Sequence, residues 1–170
     1  ITTEFRDSDK VMTGKSFVAP WQGGFGTTLT RKGMSLAAQF SWVADRWVFN
    51  NDRYLDEGNG LFETYNQSSR LLYDRWKKPG DVTDIPRYGV TPQMDSRFLE
   101  DASFLRLKNL MLSYNFPQTL LKKTNFLTHL RVFAQEQNLL TFTKFSGLDP
   151  EGVSNMYQAQ YPSTRQFTFR

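Results

Sequence analysis

The chain has 170 residues, no cysteine and a formal net charge of +4, and carries 15 Phe, 7 Tyr and 4 Trp at a mean hydropathy of −0.54. These values exclude a disulfide framework and a thiolate metal site. The scattered Lys and Arg form no basic stripe for nucleic acid, and no stretch approaches the ~18 apolar residues of a membrane helix. Many rings in a polar chain point instead to strands with one apolar and one wet face, and a transmembrane β-barrel leaves just such a weak hydropathy trace.

After an irregular start (1–22), GGFGTTLTRKG reads as a strand with Phe25, Thr27 and Leu29 on one face, closed by a tight turn at Arg31-Lys32-Gly33. MSLAAQFSWVADRWVFN then alternates: Met34, Leu36, Ala38, Phe40, Trp42 and Ala44 on one face, Ser35, Gln39, Ser41 and Asp45 on the other. The pattern predicts one strand from Met34 to about Phe49, far longer than the five or six residues usual in soluble proteins. Its apolar face, from Leu36 to Ala44, covers roughly 20 Å when tilted near 45°, close to the lipid-facing band of an outer-membrane barrel. Arg46 falls at the upper boundary of that band, where a charge costs little.

Residues 50–100 form a long polar insertion. It opens on turn-rich NNDRYLDEGNG and carries a helical stripe of Leu61, Tyr65, Leu72 and Trp76, then a Pro/Gly-rich stretch. Strand character returns in ASFLRLKNLMLSYNFP, with Leu110, Leu112, Tyr114 and Phe116 in phase. Leu105 and Leu107 lie in the opposite phase, which requires a bulge near Lys108-Asn109 or a second buried face. Pro117 ends that strand, and a connection with one helical turn leads to HLRVFAQEQNLLTF, where Leu130, Val132 and Ala134 share a face. Glu136 shares it too, an unfavourable place for a carboxylate unless a neighbour shields it. A last loop (143–164) leads to Arg165–Arg170, a strand with Phe167 and Phe169 in phase. The short connections (31–33, 117–128) all lie at one end of antiparallel strands and the long ones (50–100, 143–164) at the other, as in outer-membrane barrels.

At this point the residues match a family. DASFLRLKNLMLSYNFP, LRVFAQEQNLLTFTKFSGLDPE, YPSTRQFTF, GGFGTTLTRKGMSLAAQFSW and NQSSRLLYDRWKKPGDVTDIPRY, in order and at fitting spacing, resemble the C-terminal end of SusC/RagA-type TonB-dependent outer-membrane transporters. The resemblance implies an all-β chain: residues 1–170 as the C-terminal segment of a large antiparallel barrel, about five of its 22 strands. The plug and most of the barrel would lie elsewhere in the protein. It implies import of oligosaccharides or peptides across the bacterial outer membrane, a SusD-like surface lipoprotein as lid, and energy from the TonB complex through the missing N-terminal part. The start without Met, and a final strand that stops short of the family's terminal aromatic, read as those of a fragment. Glu136 stands where the family is expected to carry something small.

Within that frame Leu36, Phe40, Trp42, Leu110, Leu112, Tyr114, Phe116, Val132, Phe167 and Phe169 are expected to face lipid or form aromatic girdles. Arg75, Trp76, Arg87, Tyr88, Tyr157 and Tyr161, in the long loops, are candidates for contact with substrate or lid, the rings by stacking and the arginines by donating hydrogen bonds. No cofactor or metal is expected: His129 lacks ligand-spaced neighbours, and Asp149-Pro150-Glu151-Gly152 lacks the oxygen spacing of a calcium loop. The adjacent pairs Asp56-Glu57 and Glu100-Asp101 cannot face each other as hydrolytic carboxylates do, and no nucleophile or phosphate-loop motif occurs, so an enzyme is not expected. The competing architecture is a secreted soluble β-sandwich that binds carbohydrate, which would be built from strands near six residues.

Overall fold

The computed structural model describes residues 6–59, 62, 64–90, 92–122, 126–152, 154–158 and 160–170. Five strands form an antiparallel wall: β1 (Trp21–Arg31), β2 (Met34–Ala44), β5 (Phe104–Asn115), β6 (Arg131–Thr143) and β8 (Gln166–Phe169), adjacent in that order. Its four long strands run 11 to 13 residues. A second, three-stranded sheet is made of β3 (Trp47–Asn50) flanked by β4 (Leu99–Asp101) and, in parallel, β7 (Met156–Tyr157).

Side chains of residues paired across antiparallel strands share a face, so the register sorts the wall. On one face lie Phe25, Phe40 and Leu107, then Leu29, Leu36, Leu112 and Ala134, then Met34, Tyr114 and Val132. Phe169 pairs with Ala134 and Phe167 with Glu136, extending this face to β8. Phe25 and Phe40 stack at 4.9 Å, Trp42 lies over Gly23, and Phe116 packs edge-on to Tyr114. No described element packs over this apolar face, and Phe167 and Phe169 are 63% and 75% exposed. The other face is polar and, through its middle, uncharged: Gln39, Asn109, Gln137 and Gln166 form one in-register row across four strands.

The phase conflict in β5 is resolved by a bulge rather than a second buried face. Leu107 pairs with Phe40 and Asn109 with Gln39, leaving Lys108 without a partner. The step returns Leu105 and Leu107 to the face of Leu110 and Leu112. On β6 the same irregularity falls at Asn138, whose backbone is left-handed (φ 56°) and whose side-chain amide donates to the Thr164 carbonyl.

Two expectations fail. The strand beginning at Met34 does not run on to Phe49: it ends at Ala44, Asp45 turns left-handed (φ 57°), and Trp47–Asn50 joins the other sheet. Arg46 is buried rather than placed at a wet boundary, its guanidinium over the Phe17 ring and donating to the Gly152 carbonyl.

The insertion is not a loose loop either. The connections fold into a cap with the chain's own core: Val48, Ala102, Phe145 and Tyr157 pack together, and Phe98 and Ile85 are fully enclosed. Rings of Phe49, Tyr54, Phe62 and Phe98 meet at 5.4 to 6.3 Å. The expected helical stripe shrinks to α2 (Arg70–Tyr73), and an unexpected helix, α1 (Asn51–Asp56), forms in the stretch that reads as turns, capped by the Asn50 side chain. Leu61 lies outside the described residues, and Tyr65 and Leu72 are exposed. The physical reason is Gln67, whose side-chain amide donates to the carbonyls of Phe62 and Tyr65 and so satisfies groups a continuous helix would have paired. The helical turn after Pro117 is present as α3 (Gln118–Leu121).

Candidate functional site in the cap

The cap is organised by charge. Asn50 caps α1 by accepting from the Arg53 backbone N–H. The capped turn aligns Arg53 with Glu57 four residues on, Nε to Oε1 at 2.9 Å. Arg70 reaches the same Glu57 oxygen at 2.5 Å, and Arg53 and Arg70 take one oxygen each of Asp84 at 3.0 and 2.9 Å. Arg53 also meets Glu100 at 3.2 Å, and Glu100 accepts from Asn50 and from the Ser146 N–H and hydroxyl. One network thus joins segments far apart in sequence. Burial opposes the charge on both guanidiniums, but Glu57 with Glu100, and Glu57 with Asp84, outweigh it and hold Arg53 and Arg70 above the ordinary value. Burial likewise works against the Asp84 carboxylate, and Arg70 with Arg53 reverses that and lowers its pKa.

A second cluster fastens residues 149–163 to the wall. Arg106, on the polar face of β5, is 2% exposed and donates to Asp149 at 2.5 Å, to Glu151 at 2.8 Å and to the Ser163 hydroxyl at 2.9 Å. Lys108, beside it on the bulge, contacts Glu151 at 2.7 Å. Burial alone would raise the Asp149 pKa. Hydrogen bonds from Arg106 and from the Ser163 and Glu151 backbone N–H groups bring it down to about 2. Asp149 and Glu151 therefore serve the protein's own cations, and no metal-ligand cluster is found among the described residues.

Of the six loop candidates, the cap brings four together. Arg75 forms an isolated bridge with Ile85, the Trp76 N–H donates to the Ile85 carbonyl, and the Arg75 guanidinium lies 5.4 Å from the Tyr88 ring centre. Arg87 is exposed beside them, its carbonyl accepting from Asn59. Tyr161 stands apart and is 99% exposed. Tyr157 is not a surface ring: it is 2% exposed, meets Phe145 edge-on at 5.0 Å, and its hydroxyl accepts from the Leu148 N–H.

Sequence reasoning passed over the cleft between α1 and residues 146–148, of about 720 Å³, lined by Asp52, Asp56, Glu57, Arg70, Leu148 and Tyr157 among others. The available signal was the Asn50 cap followed by an Arg-Glu pair at helical spacing. Asp56 sits there with its pKa raised, by burial first and then by the nearby charges of Asp52 and Glu57.

Comparison with known proteins bears on wall and cap together. No protein-family model matches the chain. It is 36% identical over 125 residues to the TonB-dependent receptor SusC of Bacteroides thetaiotaomicron, covering 72% of this chain and 12% of that protein. With the TonB-dependent receptor P3 of Formosa agariphila it shares 37% identity, over 59% of this chain and 11% of the relative. The solved structure of the RagAB peptide importer in its open-open state superposes on 99% of this chain with a TM-score of 0.89 at 39% identity, covering 18% of the matched chain. The structure of the RagAB peptide transporter gives a TM-score of 0.90 over the same share of this chain.

The chain belongs to the SusC/RagA family of TonB-dependent transporters.

It spans 11% to 16% of the length of the curated relatives it matches. Because the superposition takes in nearly the whole chain, the cap as well as the wall belongs to what this SusC/RagA chain shares with the RagAB structures.

Proposed function

We propose that this chain supplies C-terminal barrel wall, lumen lining and external loops to a TonB-dependent importer of the bacterial outer membrane. The carrying observation is the asymmetry of the wall: one continuous, uncovered apolar face, one polar face uncharged through its middle, short connections at one end and a folded cap at the other. A band of lipid-exposed side chains around a polar interior is what a transmembrane barrel requires, whereas a soluble sandwich would cover its apolar face with a second sheet.

In this reading Leu36, Phe40, Trp42, Leu110, Leu112, Tyr114, Phe116, Val132, Phe167 and Phe169 meet lipid or its interface. The β8 and β1 edges pair with the rest of the barrel, which encloses a plug. The cap faces outward, meets a SusD-like lipoprotein, and offers Arg75, Trp76, Arg87, Tyr88 and Tyr161 to lid or cargo. The cargo is an oligosaccharide or peptide, with peptide supported by the resemblance to structures named as a peptide importer. The segment works by shape and binding, and the energy-coupled step belongs to parts that engage the TonB complex.

The test is to replace residues 51–98 by a short turn in the full-length transporter and measure lid binding and uptake into cells. Loss of either supports the reading; undiminished lid binding and uptake sink the role of the cap.

A further inference from the structure

The cap's first network is unbalanced in charge. Asp52, Asp56, Glu57, Asp84 and Glu100 supply five carboxylates around three guanidiniums, Arg53, Arg70 and Arg97, the last donating to the Asp84 carbonyl, in a chain whose net charge is +4. Glu57 is 2% exposed and lines the cleft. Its Oε1 receives both Arg53 and Arg70, while its Oε2 is buried with no hydrogen-bond partner. A buried carboxylate oxygen left unpaired is costly unless a donor arrives. Asp56, only partly shielded from solvent, lies at the same place, crowded by Asp52 and Glu57. Across the cleft stand Leu148, 71% exposed, and the buried Tyr157. A cleft of about 720 Å³ is far larger than a bare ion needs, and it sets an apolar wall opposite carboxylates. That pairing suits an alkyl stem ending in a cation, which lies along apolar surface and delivers its charge to a polar end.

We infer that this cleft binds a basic side chain, a lysine or arginine of a peptide, with the stem against Leu148 and the charged head at Asp56 and Glu57. The inference rests on the peptide-import reading and narrows it to cargo carrying a positive side chain. Asp56 is the residue that decides it, because it lies outside the Arg53–Arg70 ion pairs and its replacement leaves them intact.

The experiment uses the full-length transporter with its lid lipoprotein and two fluorescent nonapeptides of Gly, Ala and Ser. They are identical except for a central lysine or acetyl-lysine. The lysine peptide is expected to bind about tenfold more tightly, as one charge-assisted hydrogen bond allows. Asp56→Asn is expected to remove most of that preference, and Asp56→Lys to reverse it, with the acetyl-lysine peptide unchanged as the control for folding. A wild-type protein indifferent to the charge, or a preference that survives both substitutions, overturns the inference while leaving peptide import standing. If neither peptide binds the wild type, the import reading falls and the inference with it.

Discussion

Leu107 and Leu110 lie on the same face of the wall although they stand three positions apart, one opposite Phe40 and the other opposite Ala38. The unpartnered Lys108 makes this possible, and it brings Lys108 beside Arg106 at Glu151. A single extra residue thus keeps the apolar face continuous and sets two cations where the last long loop is fastened.

That fastening is sensitive to acid. The folded-state pKa of Asp149, about 2, lies below its ordinary value of 3.8. The stabilisation is therefore complete above about pH 4 and is lost as the pH falls through 2, to a total of roughly 2 kcal/mol. Hydrogen exchange of residues 149–163 in the full transporter, corrected for intrinsic rates, is expected to rise across that window, and Asp149→Asn to flatten the response. Arg106→Met, which leaves Asp149 buried with two backbone N–H donors but no cationic partner, is expected to cost about 3 kcal/mol locally.

Glu57→Gln tests the other cluster. The change removes the charge shared by Arg53 and Arg70, but Asp84 and Glu100 remain and Arg70 is partly solvated. The expected cost is about 1–3 kcal/mol, read as faster proteolysis within residues 51–98 and an unchanged wall signature in circular dichroism. Equal proteolysis of variant and wild type would show that the network does not hold the cap.

Glu136 predicts a gain. It sits on the apolar face between Leu110 and Phe167, with Oε1 buried and unpartnered. Glu136→Leu is expected to stabilise the full barrel by about 1–2 kcal/mol in urea titrations from lipid vesicles. A loss of stability would mean that the carboxylate has a partner in the assembled protein.

Gly33 predicts a loss. Its φ is +86°, and a Cβ there would meet the Asn115 carbonyl at 2.6 Å. Gly33→Ala is expected to destabilise the β1–β2 turn by about 1–3 kcal/mol. Lys32→Gly, at φ 48°, is expected to be neutral or slightly stabilising; heat-modified gel mobility of the barrel distinguishes the two.

The wall was legible because its signal is local: residues two apart share a face, and the phases of β1, β2, β5 and β6 can be read within each segment. Even the bulge was announced by the slip between Leu107 and Leu110. The break after Ala44 also left a trace, since Trp47 and Phe49 fall out of phase with Trp42, but a run of strand-forming residues hid the left-handed turn at Asp45. The cap was illegible for the opposite reason. Its core joins Val48 to Phe145 and Tyr157, and its ion network joins Arg53 to Asp84 and Glu100, so neither exists until distant segments meet. Tyr157 shows the cost: in sequence it is a loop tyrosine among polar residues, and only β7 pairing beside β3 puts it inside.

The β2–β5 ladder does not stop where the wall does. Asp45 donates to the Ser103 hydroxyl, Ala102 donates to the Arg46 carbonyl, and pairing resumes at Trp47 and Asp101. Cap and wall are therefore joined by a double-stranded strut whose cross-links lie perpendicular to its length. A pull along that strut loads several hydrogen bonds in shear at once, whereas a sideways push is resisted by the separate brace that Arg106 and Lys108 make to Asp149 and Glu151. Mechanically, the cap stands on two legs: a hydrogen-bonded strut and an ionic brace.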